Sequence, residues 1–222
     1  MNLRYPTSAL LLLVAIGAIT VAQAQTTSVQ FAVRHEHRWG SCEGILRVDS
    51  TGITYETPDE EHARTWPFRD IRQAEFRSSK KLELRTYGKP ETWKFELLEG
   101  EWSPEAYALF SGNVERVVTS RVLFPAGAFV HELPVRHRHR HGGCEGVLRI
   151  GPGEIVYDTG HPEDRRIWRM RDLRSFGSSG AYNLRLTTEQ ETFNFDLKQA
   201  LEREVYDYLW AHVYERPAIS GR

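Results

Sequence analysis

The chain has 222 residues, with 29 Lys and Arg against 30 Asp and Glu, giving a formal net charge of −1. A protein that grips nucleic acid without reading its sequence needs a basic excess, so this balance argues against a nucleic-acid partner. The length leaves room for one large or two small domains.

The N-terminus reads as a targeting segment. After a short polar start with Arg4, an apolar run extends from Ala9 to Val21, and Ala22-Gln23-Ala24 follows. At about 13 residues the run suits a signal-peptide core and is too short to span a bilayer. The expected signal peptide is 1–24, with cleavage after Ala24. The mature protein is then secreted or periplasmic, and no later segment is apolar enough to cross a membrane.

The remainder is a duplication. Val33-Arg34-His35-Glu36-His37 and Cys42-Glu43-Gly44-Ile45-Leu46-Arg47-Val48 reappear as Val135-Arg136-His137-Arg138-His139 and Cys144-Glu145-Gly146-Val147-Leu148-Arg149-Ile150. The offset of about 102 residues is domain-sized, so each copy should own a core. It continues through Tyr55 and Tyr157, Trp66 and Trp168, and Asp70 and Asp172. The two tryptophans are expected in the core.

Within a copy, apolar residues first alternate with period two, as in strands, and turn signals fall at Ser50-Thr51-Gly52 and Gly151-Pro152-Gly153. Pro67 places the Trp66 strand at an edge or an end. Lys81 to Thr86 and Thr92 to Leu97 read as a hairpin. Ser103-Pro104-Glu105 is a helix start, with Ser as N-cap and Pro in the first turn. Each copy is therefore six or seven strands followed by one C-terminal helix.

This order, with the Gly44-Ile45-Leu46-Arg47-Val48 strand, its turn, Ile53-Thr54-Tyr55 and the Trp66…Asp70-Ile71 stretch, resembles the pleckstrin-homology (PH) and GRAM-like superfold. The resemblance implies a mainly β (β+α) protein of two tandem PH-like antiparallel barrels, each plugged by its helix. The expected organisation is domain 1 over 29–118, a linker over 119–128, domain 2 over 129–216 and a tail over 217–222. Folds of this kind host lipid binders, peptide binders and adaptors, so a protein or lipid ligand is open.

Three features carry chemistry. The first is a His-x-His-x4-Cys element, present twice. His35 and His37 share a strand face, and a turn over Arg38 to Ser41 would place Cys42 opposite His37. Two imidazoles and a thiolate suit zinc or copper. The second copy supplies His137, His139 and Cys144, and adds His141 where the first has Trp39. The competing readings are ordinary strand residues that need no cofactor, and a Cys42–Cys144 disulfide. The second feature is basic clustering around Arg77, Lys80, Lys81 and Arg85, and around Arg165, Arg166, Arg169, Arg171 and Arg174. Acidic residues interleave with it, which reads as a solvated face. The third is the lack of a nucleophile elbow, a His-Glu-x-x-His motif or a phosphate-cradling glycine loop. The expected function is a non-enzymatic exported binding or scaffold protein, with a periplasmic metal-binding protein as the alternative.

Overall fold

The computed structural model describes residues 28–124 and 127–215. The expected signal peptide and C-terminal tail lie outside the described residues. The first copy runs β1 (Val29–His37), β2 (Gly40–Val48), β3 (Gly52–Glu56), β4 (Arg64–Pro67), β5 (Ile71–Phe76), β6 (Lys81–Thr86), β7 (Thr92–Leu97) and α1 (Pro104–Asn113). After β8 (Val117–Ser120) the second runs β9 (His131–His139), β10 (Gly142–Ile150), β11 (Glu154–Thr159), β12 (Arg166–Arg169), β13 (Ser175–Gly177), β14 (Asn183–Thr187), β15 (Thr192–Leu197) and α2 (Arg203–Tyr214). Short 3-10 turns follow β4 and β12.

The protein is mainly β, and its described residues form one large sheet of 15 strands and two helices. The strand order within the first copy is β5-β6-β7-β1-β2-β3-β4, and the second repeats it as β13-β14-β15-β9-β10-β11-β12. In both, the first strand pairs with the second and the seventh.

The seam is β8. It pairs in parallel with β5 and antiparallel with β12, which joins both copies into one sheet. The sequence reading assigned residues 119–128 to a linker, but Thr119 and Ser120 are strand residues whose backbone groups find partners on β5 and β12. Arg169 and Asp172 tie the same seam. The Arg169 guanidinium binds both Asp172 oxygens at 2.7 Å and donates to the carbonyls of Ser111, Val114 and Arg116. The other Asp172 bond comes from the Val118 amide at 3.0 Å.

Two apolar clusters form, one per copy. Trp66, Trp93, Phe95 and Phe110 anchor the first; Trp168, Phe193, Phe195 and Leu209 anchor the second. Trp66 and Trp168 are buried as expected, at 7% and 1% exposure. Val156 and Ile167 from the second copy pack into the first cluster, so the cores meet at the seam. Helix α1 starts where Ser103 accepts the Ala106 amide at 3.2 Å, satisfying one donor of the first turn. No helix among the described residues is long and apolar enough to cross a membrane.

Candidate metal centre

The histidines and cysteines lie at the β1–β2 hairpin and its counterpart, β9–β10. The first turn is only Arg38-Trp39, which is tighter than the four-residue turn read from the sequence. The register therefore places Cys42 opposite His35, not His37. In the second copy Cys144 likewise faces His137, across an Arg140-His141 turn. A shift of two residues preserves the face, so His37 and His139 still point to the side that carries the cysteines.

A glycine and a tyrosine hold each cysteine. A Cβ on Gly44 would stand 2.8 Å from the Tyr55 ring and 2.2 Å from the Glu56 carbonyl oxygen. At Gly146 the distances to Tyr157 and Asp158 are 2.7 and 2.2 Å. The bare backbone lets the ring cross the strand and reach the preceding cysteine. Tyr55 Oη donates to the Cys42 carbonyl at 3.0 Å and lies 3.3 Å from Sγ. Tyr157 does the same to Cys144 at 2.9 and 3.1 Å.

Another donor comes from the loop between the third and fourth strands, which the sequence reading missed. In the first copy it is His62, whose Nδ1 is 3.7 Å from Cys42 Sγ and 2.8 Å from Asp59 Oδ2. In the second it is Asp164, whose Oδ2 is 3.6 Å from Cys144 Sγ and 3.4 Å from His139 Nε2. Each lies 20 residues beyond its cysteine. That repeated spacing was in the sequence, but the residue type changes between copies.

Two donor groups result. His37, Cys42 and His62 form one; His137, His139, Cys144 and Asp164 form the other, and within each group the donor atoms all lie within 4.8 Å of one another. His35 borders the first, with Nδ1 3.7 Å from Cys42 Sγ, and its ring stacks on Trp93 at 4.6 Å. His137 stacks on Phe193 at 4.1 Å. His141 lies exposed in its turn, outside the donor group. Cys42 and Cys144 are free thiols, each engaged within its own copy.

Burial favours the neutral form of His35 and His137. Burial pushes His35 down to about 4, with His62 and His37 adding to the effect. Burial likewise pushes His137 down to about 4, helped by His139 and opposed by Asp164. Burial also raises the Cys144 thiol. His137 Nδ1 is buried without a hydrogen bond, and Asp164 Oδ1 stands 3.9 Å away. An orphaned nitrogen of this kind calls for a partner. An ion among these donors would supply one, since neutral imidazole, thiolate and carboxylate are zinc-type ligands.

The basic clusters behave differently. Arg77 and Arg85 both pair with Glu83, and Arg166 pairs with Glu191.

The fold and the site thus define a duplicated, mainly β protein with a nitrogen–sulfur donor cluster in each copy. No family model matches the sequence, and no curated protein matches it. Among solved structures, the chain is similar to one described as "Structure of the Spt16D Pob3N heterodimer", at 9% identity and a TM-score of 0.34. The match covers 72% of this chain and 82% of that one.

Proposed function

We propose that this chain is an exported, non-enzymatic metal-binding protein holding one transition-metal ion at the hairpin of each copy. Of the two functions expected from the sequence, this is the one the geometry favours. Two imidazoles, a cysteine sulfur and a loop carboxylate converge in the second copy, while the matching positions of the first gather two imidazoles and a cysteine sulfur, and this carries the reading. A hairpin that only needed to pack would not leave the His137 Nδ1 orphaned beside a carboxylate.

We read each copy as a PH-like barrel, domain 1 over 29–118 and domain 2 over 129–216. Supporting this are the repeated strand order with a helix after the seventh strand, and the separate apolar cluster of each copy. Export rests on the apolar run and the Ala22-Gln23-Ala24 cleavage pattern in the sequence. The test is metal content. Untagged, reduced protein is incubated with zinc, passed through a desalting column and analysed by elemental mass spectrometry. Retention of ions that is lost when Cys42 and Cys144 are replaced by Ser supports the reading. Metal-free elution overturns it.

A further inference from the structure

We propose that the two clusters are tuned to different ions: His37, Cys42 and His62 to monovalent copper, and His137, His139, Cys144 and Asp164 to zinc. This deepens the reading of the clusters as metal sites and rests on it. The clusters differ at two positions: the loop donor is His62 in one copy and Asp164 in the other, and His137 joins its group while the equivalent His35 only borders the first.

Charge is the first argument. One thiolate and two neutral imidazoles carry a single negative charge, which a monovalent ion cancels. Adding the Asp164 carboxylate makes two negative charges, which a divalent ion cancels. Cys144 is buried and Asp164 half-buried, so a net charge left on the filled site would be costly. Asp59 touches His62, but its side chain is 45% exposed and lies outside the donor group, so water screens it.

Donor character points the same way. The first site offers only sulfur and nitrogen, which suit monovalent copper as well as zinc. The second includes a hard carboxylate oxygen, a ligand that zinc accepts readily. Donor number is a third argument. Three donors match the three-coordinate geometry open to monovalent copper, while four match the tetrahedral preference of zinc.

The closing experiment gives the reduced full chain both ions together under anaerobic conditions. A chromophoric copper(I) chelator and a chromophoric zinc chelator compete for them. The wild-type chain is expected to retain one copper and one zinc, a result that depends on no variant. Cys42→Ser should lose the copper and keep the zinc, and Cys144→Ser the reverse. Where serine unfolds the chain by circular dichroism, alanine at the same position replaces it. His62→Asp should move the first site toward zinc by about tenfold or more. Retention of two equivalents of the same ion, or a His62→Asp preference equal to wild type, overturns the tuning alone. A wild-type chain that retains neither ion overturns the metal reading itself, and the tuning with it.

Discussion

Arg169 and Asp172 form a buried side-on ion pair at the seam, with both contacts at 2.7 Å, and the same aspartate also caps the Val118 amide of β8. The equivalent positions of the first copy are Pro67 and Asp70, and Asp70 is an exposed surface acid. The pair is thus specific to the second copy, where it anchors the strand that joins the two halves. Asp172→Ala leaves a buried guanidinium without its counter-charge and should cost about 3–5 kcal/mol. Asp70→Ala should stay within about 0.5 kcal/mol of wild type. Urea unfolding of the two variants checks this, and equal midpoints would refute it.

Trp66 and Trp168 are the matched aromatic anchors of the two apolar clusters. Each makes an edge-on contact with the residue at the start of the seventh strand, Trp93 at 4.8 Å and Phe193 at 4.9 Å. Replacing either by Ala should cost about 3–5 kcal/mol. A variant that melts with the wild type would place that ring outside the core.

Gly44 and Gly146 should tolerate no side chain. A Cβ would press on both a carbonyl oxygen and the tyrosine ring that reaches the cysteine. Ala at either position should cost about 1–3 kcal/mol, as expected for overpacking. Gly112 offers a control, since a Cβ there meets nothing within 4 Å. Denaturation curves for Gly44→Ala and Gly112→Ala that overlay would sink the idea.

His35 should make the metal-free protein sensitive to acid. Its folded value is about 4, below the ordinary histidine value of 6.5. The unfolded chain therefore takes up the proton first as pH falls, which favours unfolding. The contribution is complete above about pH 6.5 and is lost progressively down to about pH 4. Because carboxylates titrate in the lower part of this window, the informative quantity is the difference from His35→Phe. That variant should show a shallower loss of stability between these pH values. Parallel stability curves would contradict it.

Metal should stabilise the fold by linkage. An ion that binds only the native state at a hundred times its dissociation constant adds about 2.7 kcal/mol. Zinc should raise the melting temperature and a chelator should reverse the rise. His141→Ala should leave this response intact, because its side chain lies outside the donor group, whereas His139→Ala should blunt it. An undiminished rise in the His139→Ala chain would exclude that imidazole as a ligand.

The sequence by itself determined what is local. Period-two alternation and turn residues located β2, β3, β6 and β7, and Ser103-Pro104 located the start of α1, because strand pattern and helix capping are written in neighbouring residues. The repeat exposed the matched tryptophans and the paired His-x-His and Cys residues. Only the tertiary structure decided what depends on distant chain segments meeting. The register of Cys42 turned on a loop of two residues instead of four, a difference the flanking sequence did not force. Strand β8 became part of the sheet by pairing with β5 in parallel and with β12, neither of which is its hairpin neighbour. His62 and Asp164 entered the clusters because the loop between the third and fourth strands folds back over the hairpin, a closure between segments 20 residues apart that carries no periodic signal. The same geometry left His141 in its turn, since the turn bends the chain away one residue before that side chain could join the donor face.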